Sequence, residues 1–274
     1  EAAKQFENAN ADGSLQSGTV RTVSGGNTIS RRKNDFLRAF RADQNRQSVA
    51  GSLGQGSSNA GSSKEAYGPY QRGAIEGYGG DGLLSFSPDP DTLAKYQSAG
   101  LSLPNINQVD SASSAAAYNA DMTSAMSGHR LGAQVEIKSA EDLASSNLFR
   151  TESGSGFAIK PDGDIVAVFA SPTEPKSGSY SMLQAAVQAG GNKLDAFDTY
   201  LPYIYELVGF RPVARLPWND EFAPPGWDKN AFSKYNNGEP DVVFFVHDSE
   251  YFGGAIDVPV VTNYDDAVRL QNEA

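Results

Sequence analysis

The sequence predicts an α+β fold in which helices flank a mixed, mostly antiparallel sheet, preceded by an extended Gly/Ser-rich arm with one short helix. The clearest local signal is a pair of apolar segments, residues 156–160 and 164–171, on either side of Pro161-Asp162-Gly163, which is typical of a β-hairpin. Helix-start residues recur between the other apolar segments. Near residue 80 the composition changes, which indicates where the arm ends and the globular part begins.

The charge of the chain is unevenly distributed. Residues 1–80 carry ten basic and seven acidic side chains and 13 of the 28 glycines, whereas residues 81–274 carry twelve basic and 26 acidic side chains. Such a shift is typical of a boundary between an arm and a globular domain. We therefore predict an arm over residues 1–80, a domain over residues 81–250 and a tail over residues 251–274.

Further strands are predicted from alternation or from apolar runs. Residues 132–138 alternate as a half-buried strand does. Residues 165–171 and 241–246 are apolar on both faces, which is typical of central strands. Shorter apolar segments bounded by turn residues predict the remaining strands, at residues 83–87, 193–197 and 210–216.

Helices are predicted where a side chain that accepts hydrogen bonds precedes a helical pattern, or where a glycine follows one. The N-terminal signals are Asp89 before residues 92–99, Asp110 or Ser111 before residues 112–126, and Ser139 before residues 140–143. The C-terminal signals are Gly190 after residues 181–189 and Gly209 after residues 201–208.

The composition excludes several classes of protein. The absence of cysteine excludes a disulfide scaffold, thiol catalysis and Cys-ligated zinc, and the two histidines, His129 and His247, leave no room for a His-rich metal centre. We therefore expect no metal site. The longest uncharged apolar stretch, residues 165–170, is too short to cross a bilayer, so no membrane partner is expected. The sequence begins at Glu1 and not at methionine, as expected of a processed chain or of a numbering that omits upstream residues.

One helix is predicted within the arm, over residues 30–47. The linker at residues 51–63 and the Gly-rich residues 68–82 should be disordered alone, because they bury too little apolar surface. One interpretation of the helix is a solvated tether. The other is a docking segment that places its aromatic and basic side chains on a partner with an acidic surface. The partner-binding residues predicted on this basis are Arg31, Arg32, Phe36, Phe40 and Arg41. Nucleic acid is not the expected partner, because the helix has few basic residues and the domain is acidic.

A resemblance to a known superfamily is carried by residues 164–216. They combine IVAVFAS, KSGSYSMLQAAVQAGG, KLDAFD and PYIYELVGFR in the order strand, loop, helix, strand, helix and strand. This order resembles the core of the GNAT superfamily of acyltransferases, and the run at residues 205–210 is its most specific part. More narrowly, residues 194–244 are similar to a family of phage and prophage proteins with a GNAT-like domain. The resemblance covers about residues 83–250 and leaves the arm outside.

The resemblance implies that acetyl-CoA enters between two splayed strands, with its pyrophosphate at the N-terminus of the next helix. The corresponding cofactor-binding residues are Lys176, Ser177, Gly178 and Ser179. Aligned on Gly178, the loop keeps the central glycine of the superfamily pattern, while Pro175 and Tyr180 replace its other characteristic residues.

The resemblance also assigns catalytic candidates. Tyr205 matches a tyrosine that protonates the departing thiolate; its alternative role is an interior aromatic of an amphipathic helix. For a base, the candidates include Asp195 and Asp198, at the end of the segment that corresponds to the fifth strand of the superfamily; the alternative role of Asp198 is the N-cap of the following helix. Asp220 and Glu221 lie in the long connection after the sixth strand, beside Trp218 and Trp227. The alternative for this connection is a solvated loop held by its own aromatic residues.

Two functions remain open at this point. The first is a phage virion-associated structural protein, located in the virion and in the host cytoplasm during assembly, whose arm anchors it to other virion proteins in a larger assembly. Such a protein needs no cofactor. The alternative is an acetyl-CoA-dependent N-acetyltransferase that acts on an amine, packaged in the virion. A fold alone does not separate the two, since folds are reused for unrelated functions.

Overall fold

The structure is a computed structural model that describes residues 35–42, 68–75, 82–174, 178–254 and 256–274. The Gly/Ser linker at residues 51–63 and four predicted site residues, namely Arg31, Arg32, Lys176 and Ser177, lie outside the described residues.

The larger of two sheets is a six-stranded antiparallel meander in which each strand pairs with the next along the chain. Its strands are β1 (Tyr70–Ile75), β2 (Leu83–Pro88), β3 (Ile106–Val109), β4 (Asn147–Thr151), β5 (Gly156–Ile159) and β6 (Ile165–Phe169). The hairpin predicted around Pro161-Asp162-Gly163 is confirmed, because β5 and β6 pair in antiparallel register.

The smaller sheet has three strands, β7 (Lys193–Phe197), β8 (Phe210–Leu216) and β9 (Val242–His247). Its spatial order is β7-β9-β8, and both pairs are antiparallel. The last strand of the chain therefore lies in the middle of this sheet, as the apolar run at residues 241–246 predicted.

The helices are α1 (residues 35–42), α2 (Pro90–Ser98), α3 (Ser111–Ser127), α4 (Ala140–Ala144), α5 (Gly178–Gln188), α6 (Leu201–Val208) and α7 (Tyr264–Glu273). The predicted caps are confirmed. Asp89 accepts a hydrogen bond from the Thr92 amide at 2.9 Å, and Asp110 accepts one from the Ser113 amide at 2.9 Å. With helices packed on two sheets, the predicted α+β class is confirmed.

Two strand predictions are wrong in detail. Residues 132–138 form a short 3₁₀ turn, Gly132–Gln134, followed by an extended segment without a ladder partner among the described residues. Gly132 packs so closely on the end of α3 that a Cβ there would overlap the Met126 carbonyl. In addition, β6 is the last strand of its sheet, although its apolar sequence predicted a central position.

Parts of the predicted arm and tail belong to the domain. Residues 70–75, expected to be disordered alone, form the edge strand β1. In α1, Leu37 is buried, and the rings of Phe36 and Phe40 lie edge-on to Tyr96 at 5.4 and 5.1 Å between centroids. At the other end of the chain, α7 packs on the small sheet, where Gln271 donates hydrogen bonds to two strand carbonyls.

Candidate functional site

The two sheets meet at β6 and β7, which run parallel but separate. A single bridge joins them, between Asp164 and Lys193, and no further ladder pair links these two strands. A cavity of about 1880 Å³ opens beyond the bridge. It is lined by both strands, by α6 and by part of the connection between β8 and β9. The cavity thus lies where the six-stranded and three-stranded sheets separate and no longer pair through their backbones.

The strand β6 is irregular where it borders this cavity. Ala167 has φ 52°, a left-handed conformation that is rare for a residue with a side chain. The pairing of β5 with β6 shifts between Gly156 and Ala158, as a β-bulge does. The hydroxyl of Tyr118 donates a hydrogen bond to the Ala167 carbonyl at 3.0 Å. The irregular part of β6 is therefore the part that lines the cavity.

Tyr205 lies on α6 and lines the cavity. Its ring is buried and packs edge-on against Phe210 and Phe245, with centroids 6.3 and 5.8 Å away. Burial raises the pKa of Tyr205 well above its usual value, with smaller contributions from Tyr200 and Asp195. The phenol therefore keeps its proton at neutral pH. Both predicted roles of Tyr205 remain compatible with this position, since it is an interior aromatic that also borders the cavity.

Of the two acids in the long connection, Asp220 lines the cavity and Glu221 does not. Asp220 accepts a hydrogen bond from Trp218 Nε1 at 2.8 Å and forms an ion pair with Lys229 at 2.6 Å. These contacts lower the pKa of Asp220, the hydrogen bond from Lys229 most. A low-pKa, paired carboxylate is a weak base. Glu221 is exposed and does not line the cavity.

Aromatic side chains hold the connection in place. Trp218 lies 4.8 Å from Trp227, and Trp227 stacks on Phe232 at 3.8 Å between ring centroids. Phe197 of β7 packs against both tryptophans, at 5.8 and 4.7 Å. The structure thus agrees with the interpretation of this segment as a loop held by its own aromatic residues.

The start of α5 is occupied by a side chain of the protein itself. Gly178 is buried there, and Ser179 lines the cavity. The Glu174 side chain lies so close to Gly178 that a Cβ on the glycine would overlap it. One carboxylate oxygen of Glu174 accepts hydrogen bonds from Ser153 and, at 2.8 Å, from Thr151. The other oxygen, Oε1, is buried without a hydrogen-bond partner among the described residues, so the carboxylate lies beside the start of α5, where a helix N-terminus favours an anion.

Asp195 of β7 is a further carboxylate that lines the cavity. It accepts a hydrogen bond from the Tyr264 hydroxyl at 3.0 Å. Burial raises the pKa of Asp195 to about 6, and the nearby Asp164 contributes in the same direction. Asp195 was one of four base candidates from the sequence. Its partner Tyr264 lies in the segment predicted as a tail, and no sequence pattern linked the two.

The predicted partner-binding residues of the arm lie elsewhere. Of the five, the structure describes Phe36, Phe40 and Arg41, none of which lines the cavity. The two rings contact Tyr96 of the same chain, and Arg41 is buried. Binding of another protein by this helix stays a prediction.

The described ranges contain neither a membrane-spanning helix nor a group of metal ligands. No helix in them is both long and apolar enough to cross a membrane. Within the same ranges, no group of three or more His, Asp or Glu residues is arranged to hold a metal ion. Comparison of the chain with protein-family models, curated proteins and solved structures finds no match.

Proposed function

We propose that this domain is an acyltransferase of the GNAT type, which binds acetyl-CoA between β6 and β7 and transfers the acyl group to an amine. The observation that carries the proposal is the separation of two parallel strands beyond the Asp164–Lys193 bridge, with a large cavity in the gap. This favours the second of the two functions expected from the sequence.

The fit of acetyl-CoA to this cleft differs along its length. The gap between the strands is lined by apolar residues such as Val168 and Ala196, which suits the extended thioester arm. The pyrophosphate would meet the Glu174 carboxylate at the start of α5, so that this side chain would have to move.

In the proposed reaction, acetyl-CoA supplies an acyl group that is activated as a thioester. The contribution of the protein is a proton held on the Tyr205 hydroxyl, next to the cavity. The pKa of Tyr205 lies above that of a thiol, about 8.5, so transfer of its proton to a leaving thiolate is favourable only if the hydroxyl regains a proton from the acylated amine. Burial supplies the low-dielectric surroundings that keep Tyr205 protonated until then.

Calorimetric titration of the full chain with acetyl-CoA tests this function. We expect saturable heat that Gly178→Trp removes, because the larger side chain fills the start of α5. The matched variant Tyr205→Phe should bind acetyl-CoA like the original chain, because it retains the buried ring. An absence of heat at millimolar acetyl-CoA would overturn the proposal.

A virion structural protein remains the second candidate, because the Glu174 carboxylate lies beside the start of α5, where it disfavours a second anion. A domain kept for its shape alone would tolerate that side chain. Deletion of residues 1–34 tests this candidate, since it leaves α1 and β1 in place. We expect a folded protein that no longer enters phage particles. Normal incorporation of the shortened chain would refute anchoring by those residues.

A further inference from the structure

The cavity continues on the face of the small sheet that carries Asp195. Successive side chains of a strand point to opposite faces, so Asp195 and Phe197 share one face of β7, whereas Leu194 and Ala196 face the core beside α6. At the β8 edge of the small sheet, Arg215 exchanges backbone hydrogen bonds with Pro259 and Val261, at 3.0 and 2.9 Å. This pairing brings the chain to Tyr264. Residues 260–264 therefore line the cavity together with β7, and Tyr264 contacts Asp195 directly; we call this part of the cavity the groove.

Apolar side chains are concentrated at the rim of this cavity. Of the six large apolar side chains that are exposed in the described residues, four line it: Ile137, Phe222, Val260 and Tyr264. Phe222 is 77% exposed and Val260 is 64% exposed. Exposed apolar groups that cluster around one concave surface are typical of a ligand site.

The floor of the groove carries a carboxylate without a cation. Among the described residues, Asp195 has no ion pair, and its hydrogen-bond donor is the neutral Tyr264 hydroxyl. The two lysines near Asp195 are engaged with other acids. Lys160 pairs with Asp164 at 2.8 Å, and Lys138 pairs with Glu136 at 2.5 Å. A bound cation would offset the cost of keeping the Asp195 carboxylate ionised in a partly desolvated place.

We infer that this groove binds a primary amine carried on an apolar group. The ammonium pairs with Asp195, and the apolar body lies along Ile137 and Val260. Charge complementarity selects the amine, and the exposed apolar rim selects the body. The inference rests on the proposed acyltransferase function, for which it names the class of acceptor.

Tryptophan fluorescence of the full chain, without acetyl-CoA, reports on this binding directly. The two tryptophans of the chain lie together at the cavity, with Trp218 in its lining. The probes are n-hexylamine, methylamine and 1-hexanol. We expect n-hexylamine to saturate the signal with a Kd at least about tenfold below those of the other two, because methylamine lacks the apolar body and hexanol lacks the charge.

Three variants separate the contribution of the Asp195 charge to binding from that of the apolar rim. Asp195→Asn should remove the preference for n-hexylamine over 1-hexanol, and Val260→Ser should weaken n-hexylamine binding severalfold without altering the response to methylamine. Val260 is exposed, so its replacement does not disturb the core. Asp265→Asn removes the same charge from an exposed position next to Tyr264 and should leave binding as it was.

Equal affinities for n-hexylamine and 1-hexanol, an unchanged preference in Asp195→Asn, or no saturable signal with n-hexylamine would each overturn the inference. Failure of the proposed function is recognised separately, by the titration with acetyl-CoA. If acetyl-CoA binds and n-hexylamine does not, the acyltransferase proposal stands and the acceptor class is wrong.

Discussion

Arg41 on α1 donates a hydrogen bond from Nη2 to the backbone carbonyl oxygen of Asp248, at 2.9 Å, in the segment that follows β9. The same guanidinium donates to the Ser249 carbonyl at 3.2 Å and to the Glu206 carbonyl, near the end of α6, at 3.4 Å. Its side chain is buried, and desolvation lowers the pKa of Arg41 to about 10. One cation thus joins a helix of the predicted arm to two distant parts of the domain.

Replacement of Arg41 by methionine should destabilise the protein. The variant keeps an apolar stem but removes the three hydrogen bonds that the guanidinium donates, so we expect the free energy of unfolding to fall by about 2–4 kcal/mol. Urea unfolding measures this as a lower midpoint with an unchanged slope. The matched variant is Arg38→Met on the same helix, whose hydrogen bond to Phe252 is exposed and should contribute less than about 1 kcal/mol. Equal losses in the two variants would contradict a special role for Arg41.

Two glycines test the packing around Arg41 independently. Gly209 ends α6 with φ 105°, and Gly190 follows α5 with φ 102°. An alanine at either position carries the left-handed penalty of about 1–2 kcal/mol. A Cβ on Gly209 would also overlap the Arg41 guanidinium, whereas one on Gly190 would meet open space.

We therefore expect Gly209→Ala to reduce the free energy of unfolding by about 1–3 kcal/mol more than Gly190→Ala does. Chemical denaturation of both variants and of Arg41→Met/Gly209→Ala checks this. The loss in the double variant should be smaller than the sum of the two single losses, because the overlap that the alanine introduces requires the Arg41 guanidinium. Strict additivity would show that the glycine and the arginine act separately.

Local signals in the sequence predicted a large part of the fold. Asp89, Asp110 and Ser139 each cap the helix expected of them, because capping depends on residues three positions apart. The hairpin between β5 and β6 was predictable for the same reason. The segment at residues 132–138 was not, because its alternation is strand-like while the partner that a strand needs is a property of the whole sheet.

The candidate site was less predictable than the fold. Tyr205 was identified through the resemblance, whereas the contact of Asp195 with Tyr264 joins residues 69 positions apart. The rim of the cavity also includes Ile137 and Val260, which belong to segments read as a strand and a tail. Contacts of this kind depend on how α7 packs on the small sheet, and no pattern within one segment encodes that.

Neutralisation of Glu174 should strengthen the binding of acetyl-CoA. The Glu174 carboxylate lies beside Gly178 at the start of α5, where it would repel a pyrophosphate. In Glu174→Gln the hydrogen bonds from Thr151 and Ser153 can be retained by the amide oxygen. We expect the Kd for acetyl-CoA to fall by about tenfold, measured by calorimetry. Glu152→Gln, an exposed acid near this loop, is the control and should leave the Kd unchanged.

The pH dependence of stability should show two opposing contributions. The pKa of Asp195 is raised to about 6, above its ordinary value of 3.8, so the folded state holds this proton more tightly than the unfolded state does. Its contribution is favourable at low pH and is lost as the pH rises from about 4 to 6. Burial lowers the pKa of His247 from 6.5 to about 4, so its contribution is present above pH 6.5 and is lost as the pH falls towards 4.

The two slopes partly cancel in the original chain, and Asp195→Asn should separate them. Above pH 6 the variant should be more stable than the original chain by up to about 3 kcal/mol, because it removes a desolvated charge; near pH 4 the two should be alike. Between these limits its free energy of unfolding should rise with pH more steeply than that of the original chain, and His247→Gln should show a shallower rise or a fall. Urea unfolding at intervals from pH 4 to 8 measures all three profiles. Parallel profiles for Asp195→Asn and the original chain would mean that Asp195 titrates alike in the folded and unfolded states, and that its surroundings in the groove do not disfavour the carboxylate.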